Sequence, residues 1–182
     1  CEVASMATER YLHGAAALGG KLYVMGGDGG TTLVDQAEVY DPKADSWQPL
    51  PSMPTARCDL AAAAVAGKIY AIGGDKEDDE LCNAVEAYDP VSGAWTPVAS
   101  LPVARTSHTA TVVGGKIYVL GGLGEDHGPG DDDYTDECVI ATDHVDVYDP
   151  TADSWQQMAA MPTVRHSHAA AVLDGKIYVT GG

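Results

Sequence analysis

The sequence predicts an all-β protein that is built from repeated four-stranded sheets. Three recurring blocks lead to this prediction. The first is Lys-Leu/Ile-Tyr-Val/Ala-x-Gly-Gly, which begins at Lys21, Lys68, Lys116 and Lys176. The second is Tyr-Asp-Pro with a Trp after four further residues, and the third is Met/Leu-Pro-x-x-Arg, which ends at Arg57, Arg105 and Arg165. Self-similarity at this spacing is the signature of a repeat architecture.

Each repeat divides into four short strands. After each Arg comes a run of small or β-branched residues (61–65, 109–113 and 169–173), which ends in a two-residue turn such as Gly114-Gly115. Such a turn predicts a tight hairpin of strands one and two, and the Ala-rich runs are too short for a stable helix. The third strand ends at the Tyr, and Asp-Pro predicts a type I turn into a fourth strand that opens at the Trp.

A four-stranded sheet with two apolar faces cannot bury both of them alone, so we expect successive sheets to stack face to face. In a ring of such blades the strand nearest the axis is crowded, which fits Ala and Val in strand one and the aromatic residues farther out. The glycine pairs permit a positive φ or a bulge where a neighbouring blade leaves no room for a Cβ. The geometry predicts a β-propeller. Its repeat positions are Gly26, Gly27, Gly73, Gly74, Gly121, Gly122, Tyr40, Tyr88, Tyr148, Trp47, Trp95 and Trp155.

This order of hydrophobic strand, Gly-Gly, spaced Tyr and Trp, and an Arg that opens the next unit resembles the kelch repeat. The resemblance covers nearly the whole chain and implies a kelch-type β-propeller over residues 1–182. The repeats lie at approximately 10–56, 57–104 and 105–164, with a partial repeat at 165–182 and an acidic loop insertion at 123–144. A ring of about six blades needs about 300 residues, so we expect an incomplete propeller of about three to four blades from a longer protein.

The resemblance also implies a range of functions. Kelch domains are mostly protein-interaction modules, often the substrate-recognition domains of cullin-based ubiquitin ligase adaptors or parts of actin-associated proteins. A minority are enzymes. The alternatives for this chain are therefore a binding module and an enzyme.

Composition limits the partners. The formal net charge is −17, which disfavours nucleic acid because the surface field would repel the phosphate backbone. No apolar run approaches the roughly 18 residues of a membrane span. The compartment is unknown from the sequence, with the cytoplasm favoured. The four cysteines, Cys1, Cys58, Cys82 and Cys138, lack C-x-x-C spacing and are expected to be free thiols, although a Cys82–Cys138 disulfide stays open.

The arginines Arg57, Arg105 and Arg165 are the first candidate site, because they open the innermost strands and would gather at one mouth of the channel. There they would bind carboxylate or phosphate groups, and in kelch adaptors arginines at the matching place contact acidic peptides. The alternative, which repetition in every unit favours, is a structural tie to carbonyls or to a neighbouring blade's Asp. The residues that follow differ among repeats, as a binding surface or neutral loop drift would show. Those retained as partner-binding candidates are Ser107, His108, Ser167 and His168.

The long acidic loop of the third repeat is the second candidate, with Asp131, Asp132 and Asp133 as partner-binding residues. Insertions in repeat proteins map to one face and often mark the binding side. The run lacks the glycine and the terminal glutamate of an EF-hand, so we predict a solvated loop that attracts a basic partner rather than a metal site. The loop Asp75–Glu80 is also acidic and would extend this negative patch.

The sequence therefore favours a module that binds a partner protein, such as a cullin-linked substrate or a cytoskeletal protein, through the loops Asp75–Asn83 and Leu123–His144. No catalytic residue, metal or cofactor is predicted, and neither a nucleotide-binding loop nor G-x-S-x-G is present. The alternative is an enzyme, sugar-acting or a metal-dependent oxidase, with its site at the channel mouth near Arg105, His108, Arg165 and His168. The acidity also fits a protein from a saline environment.

Overall fold

The computed structural model describes residues 3–77, 80–125 and 139–182, whose strands are numbered here in chain order. The first blade consists of β1 (Gly14–Leu18), β2 (Lys21–Met25), β3 (Ala37–Asp41) and β4 (Ser46–Leu50). The second consists of β5 (Ala61–Val65), β6 (Lys68–Ile72), β7 (Val85–Asp89) and β8 (Ala94–Val98). Each is an antiparallel sheet in which chain order equals spatial order, as the repeat pattern predicts.

The third blade consists of β10 (Thr109–Val113), β11 (Lys116–Leu120), β14 (Val145–Asp149) and β15 (Ser154–Gln157). A small side sheet accompanies it, formed by β9 (Arg105–Thr106), β12 (Leu123–Glu125) and β13 (Val139–Ala141). The last hairpin pairs β16 (Ala169–Leu173) with β17 (Lys176–Thr180). The described strands thus make three complete blades and the inner half of a fourth, which confirms the predicted all-β, incomplete propeller.

The blades stack face to face, as the two apolar faces of each sheet require. The first strands β1, β5, β10 and β16 follow one another around the axis. Along β6, Ile69 and Ala71 pack toward the first blade, whereas Tyr70 and Ile72 pack toward the third. This alternation, with period two, buries both sides of the second blade.

The tryptophans tie each blade to the linker that precedes it. Trp95 packs on Tyr88 with ring centroids 5.2 Å apart, and its Nε1 donates to the carbonyl of Pro51 at 2.8 Å. Trp47 and Trp155 repeat the arrangement with the carbonyls of Ala4 and Ala99. A half-buried aromatic ring that packs on Tyr and has a satisfied N–H explains why Trp recurs at this position.

In the complete blades the first glycine of each pair meets the linker of the next blade, and the second meets the linker that opens its own blade. Gly73 has φ of 58°, and a Cβ there would lie 2.7 Å from the carbonyl oxygen of Arg105 in the next linker. Gly74 has φ of 102°, and its Cβ would lie 2.3 Å from the carbonyl oxygen of Cys58. A side chain is excluded at both positions, as expected where the backbone of a linker leaves no room for a Cβ.

The side sheet is a difference from the sequence expectation, which treats residues 123–144 as a loop. Leu123 pairs with Thr106 on one side and with Ala141 on the other. In the first two blades single bridges occupy this place, Tyr11–Asp28–Leu33 and Cys58–Asp75–Leu81. The longer segment of the third blade therefore extends a pairing that all three complete blades share.

The strands end at two faces of the propeller. The turn face carries the tight turns between the first and second strands and between the third and fourth strands of each blade. The loop face carries the longer loops 26–36, 73–84 and 121–144 together with the linkers between blades. No helix of the described residues is long and apolar enough to span a membrane.

Candidate functional site

The arginines that open the blades lie in buried ion pairs. Arg57 Nη2 lies 3.2 Å from Glu86 Oε2, and the two side chains are 0% and 4% exposed. Arg10 pairs with Glu38 at 2.7 Å and Arg105 with Asp146 at 2.5 Å, with similar burial. In each case the acid lies on the third strand of the same blade, two residues before the Tyr.

This geometry matches the structural alternative for the arginines, with one difference: the acid comes from the same blade rather than from a neighbouring one. Arg57 and Arg105 therefore present no surface to a partner. Arg165 is half-buried and donates through Nη1 to the carbonyl of Gly181. The acid partners Glu38, Glu86 and Asp146 were missed from the sequence, although an acid two residues before each repeat Tyr is a readable signal.

Residues two positions after each Arg form what we call the inner rim, on the loop face. Leu12, Asp59, Ser107 and Ser167 all adopt left-handed backbone conformations, with φ of 52°, 48°, 53° and 49°. The amide of Asp59 donates to the carbonyl of Leu12 at 2.7 Å, and that of Ser167 donates to Ser107 at 2.9 Å. The fold thus brings the candidates Ser107 and Ser167 together. A left-handed conformation costs free energy for residues other than glycine, so it persists only where the surrounding structure imposes it.

Carboxylates and hydroxyls surround the inner rim. The Ser107 hydroxyl donates to Asp59 Oδ2. The Thr106 hydroxyl lies 2.9 Å from Asp59 Oδ2 and 2.7 Å from Asp75 Oδ2, so it donates to one carboxylate at a time. On the first blade the Tyr11 hydroxyl donates to Asp28 Oδ2 at 2.5 Å, and this hydrogen bond lowers the pKa of Asp28.

The pKa of the Cys58 thiol is raised beside the inner rim. Burial raises its pKa to about 11, with further contributions from the charges of Asp75, Asp28 and Asp59. The thiol therefore stays protonated at neutral pH and is a poor nucleophile. Cys58 and Cys82 are free thiols in the structure, whereas Cys138 lies outside the described residues.

The histidine candidates lie beneath the surface, between blades. His108 is 7% exposed, its ring lies against Gly73, and neither ring nitrogen has a hydrogen-bond partner among the described residues. Burial, followed by the charge of Arg105, lowers its pKa to about 3. His168 is equally buried and contacts the Thr109 hydroxyl at 2.9 Å through Nε2, and burial lowers its pKa as well. Both are therefore neutral packing residues rather than exposed groups.

Charge is distributed unequally between the two faces. On the turn face, lysines at the start of each second strand pair with aspartates at the end of each third strand: Lys21–Asp41 at 3.2 Å, Lys68–Asp89 at 3.8 Å and Lys116–Asp149 at 3.0 Å. On the loop face Arg10, Arg57 and Arg105 are neutralised inside the blades, and Lys76 pairs with Glu80. Arg165 makes no ion pair with a described residue. The acids described on the loop face without an ion pair, Asp75 left aside, are Glu9, Asp28, Asp35, Asp59, Glu77 and Asp143. The loop face therefore carries most of the excess negative charge.

Two further predictions concern the acidic loop of the third repeat and metal binding. Asp131, Asp132 and Asp133 lie outside the described residues. Among the residues the structure describes, no cluster of three or more His, Cys, Asp or Glu is arranged to hold a metal ion.

Known proteins resemble this chain in sequence and fold. The family model of the KLHDC2/KLHL20/DRC7 kelch-repeats domain matches residues 3–122, and that of the kelch motif matches residues 104–162. An F-box/kelch-repeat protein of Arabidopsis thaliana is 46% identical over 57 residues, which cover 29% of this chain and 12% of that protein. Human Kelch-like protein 33 is 42% identical over 43 residues, or 24% of this chain and 8% of that protein.

The solved structure of YjhT shares the fold, with a TM-score of 0.79 at 20% sequence identity. The match covers 97% of this chain and 59% of that chain, and at this identity it shows the fold alone. The present chain thus spans a small part of the curated relatives' length.

Proposed function

The chain belongs to the kelch-repeat family, and from that premise we propose that it is a protein-interaction module whose loop face recognises a basic segment of a partner protein. The unequal charge of the two faces carries this proposal. On the turn face each Asp that ends a third strand is paired with a Lys. On the loop face, the described parts of the loops 26–36, 73–84 and 121–144 contain one lysine, Lys76. Lys76 is already paired with Glu80.

A face with uncompensated acids attracts a cationic partner over a distance comparable to the Debye length, about 8 Å at physiological ionic strength. Such complementarity speeds association and selects against acidic partners. Within the loop face, we assign the first contacts to the inner-rim residues Asp59 and Ser107 and to the neighbouring Asp28. The outer contacts are assigned to the loops 75–83 and 123–144, including Asp131, Asp132 and Asp133.

An adaptor role is a more specific form of the same proposal. Relatives include an F-box/kelch-repeat protein and Kelch-like protein 33, and the module proposed here would supply the recognition part of such an adaptor. The burial of Arg105, His108 and His168 does not favour the enzyme alternative, and Arg165, the fourth residue of that alternative, is half-buried.

Two charge-matched variants test the proposal. The loop-face variant carries Glu9→Gln, Asp35→Asn and Glu77→Gln. The turn-face variant carries Asp45→Asn, Asp153→Asn and Asp174→Asn, in which Asn keeps the Oδ1 acceptor that Asp45 and Asp153 use. Both remove three negative charges, so they differ in the position of the change rather than in its size.

The assay is fluorescence anisotropy with a labelled lysine- and arginine-rich peptide, compared with an acidic peptide of equal length. Each exposed charge is worth about 0.2–1 kcal/mol, so the loop-face variant should bind the basic peptide about threefold to a hundredfold more weakly. The turn-face variant should bind as the wild type does, and salt should weaken binding. Equal effects of the two variants, or equal binding of the acidic peptide, would contradict the proposal.

A further inference from the structure

The side sheet of the third blade ends in a strand whose outer edge is unpaired among the described residues. The sheet has the order β13, β12, β9, so β13 is an edge strand. It pairs with β12 in the register Leu123↔Ala141 and Gly124↔Ile140. The first two blades have single bridges at this place, which are too short to accept a further strand. Among the described loops, that of the third blade therefore offers an edge for pairing.

The backbone groups of β13 that point outward follow from the register. The amide of Thr142 donates to the carbonyl of Gly122 at 2.9 Å, and hydrogen bonds between two antiparallel strands involve every second residue. Ile140 therefore directs its amide and carbonyl toward β12, whereas Val139 and Ala141 direct theirs away from it. No described residue donates to these outward carbonyls or accepts from these outward amides. Such an edge is a template on which an extended chain can add a strand.

A cavity of about 210 Å³ lies beside this edge on the loop face. Its wall is partly apolar and includes Val103, Ile140, Ala141 and Val164. The side chains of Ile140 and Val164 are 39% and 53% exposed, whereas Leu81, at the place of Ala141 in the second blade, is buried. One aliphatic side chain fits a cavity of this size, and its entry would remove apolar surface from water.

The unbalanced charge in the wall of the cavity is negative. Asp143 lies two residues after the end of β13, and its carboxylate makes no hydrogen bond or ion pair with a described residue. Its backbone carbonyl accepts from the amide of Met161 at 2.8 Å, which fixes the position of the residue. Arg105 is also in the wall, but it is fully buried and paired with Asp146. A Lys or Arg beside the cavity is therefore favoured over an acid.

We propose that the outer edge of β13 binds an extended segment of the partner as a further strand, in which aliphatic residues alternate with Lys or Arg. Backbone hydrogen bonds to Val139 and Ala141 supply affinity, and the cavity beside them selects an aliphatic side chain. Successive side chains of a strand point to opposite faces, so the basic residues lie between the aliphatic ones and match the acids of the loop face. The basic residues rest on the proposed function, whereas the strand addition rests on the edge of β13.

The probe is a short labelled peptide in which Val and Lys alternate, and its binding to the full chain is followed by fluorescence anisotropy. Two further peptides carry backbone N-methyl groups, one on its Val residues and the other on its Lys residues, so each lacks the amide donors of one edge. Because one edge of the peptide pairs with β13, one methylated peptide should bind roughly tenfold or more weakly and the other should bind nearly as the parent does. Binding should also slow hydrogen exchange at the amides of Val139 and Ala141, measured by NMR.

Two substitutions with matched controls test the cavity and the charge. Val164→Thr replaces one methyl group in the wall by a hydroxyl of similar size and should weaken binding by roughly fourfold. Its control is Val91→Thr on the turn face, where the side chain is 96% exposed, and this variant should bind as the wild type does. Asp143→Asn should weaken binding of the Val–Lys peptide, whereas Asp174→Asn on the turn face should not.

Four results would overturn this assignment: no binding of the Val–Lys peptide, equal effects of the two methylation patterns, unprotected amides at Val139 and Ala141, or equal binding by Val164→Thr and Val91→Thr. A change in the sedimentation of the chain alone on Val164→Thr would assign the edge to a second copy instead. These results leave the proposed function standing if the lysine- and arginine-rich peptide still responds to the loop-face variant. Protection of β13 by the Val–Lys peptide, with no effect of the loop-face variant on either peptide, would support the strand addition and reject the proposed function.

Discussion

Neutralising Glu86 tests whether the buried ion pairs hold the blades together. Arg57 and Glu86 are 0% and 4% exposed and lie 3.2 Å apart, while the Thr55 hydroxyl donates to Glu86 Oε1 at 2.7 Å. Glu86→Gln keeps the shape and the acceptor for Thr55 but leaves the guanidinium without its counter-charge. Removing one partner of a buried pair costs about 3–5 kcal/mol. At about 2–4 °C per kcal/mol, Tm should fall by about 6–20 °C.

The assay is urea unfolding followed by tryptophan fluorescence, since Trp95 lies in the same blade and packs on Tyr88. The control is Lys68→Gln, which removes an ion pair whose Lys is 40% exposed and should cost no more than about 1 kcal/mol. The double change Arg57→Met with Glu86→Leu should recover most of the loss, because it leaves no charge unpaired. A cost for Glu86→Gln as small as that of Lys68→Gln would refute this reasoning and return the arginines to the list of binding candidates.

Two further predictions concern packing of the blades against the linkers. Burial lowers the pKa of His108 to about 3 from 6.5, so the unfolded chain binds a proton that the folded chain does not, and stability should fall by about 2 kcal/mol between pH 7 and pH 5. His108→Leu, which places the residue equivalent to Leu60 of the second blade, should reduce this change of the free energy of unfolding with pH. The measurement is urea unfolding at pH 7 and pH 5. An unchanged pH dependence in the variant would count against a buried neutral imidazole at position 108. Gly74→Ala should cost several times the roughly 1 kcal/mol of Gly67→Ala, because its Cβ would clash with Cys58 whereas Gly67 faces open space. Equal thermal shifts for the two glycine variants would rule out the close approach.

The features of the fold that can be predicted from the sequence depend on residues that are close together in the chain. The turn at Gly114-Gly115 has φ of 58° and 78°, which a two-residue hairpin turn requires and which glycine supplies. The alternation along β6 likewise follows from a side-chain period of two. Trp95 and Tyr88 were placed correctly because their spacing recurs in every complete repeat.

The parts of the site that sequence reasoning did not reach depend on contacts across a blade or between blades. Arg57 and Glu86 are separated by two strands, so only the register of the sheet brings them together. His108 follows an Arg in a linker and looks exposed in sequence, but the linker packs against Gly73 of the preceding blade. The strands β12 and β13 were missed because each spans three residues beside a strongly acidic run.

Charged residues at fixed repeat positions form ion pairs within the blades, which make up the frame of the propeller. Charged residues in the loops are the ones proposed to bind a partner. Arg57 is committed to Glu86, and Lys68 to Asp89, by the same register that pairs the strands. Changes at these positions should therefore alter Tm, whichever partner is bound. Among the described loop residues, acids such as Asp35 and Glu77 make no such pair with the frame, so neutralising Glu77 should change affinity while Tm stays constant. The proposed basic partner would therefore be selected by the loops, because binding to them leaves the ion pairs of the frame unchanged.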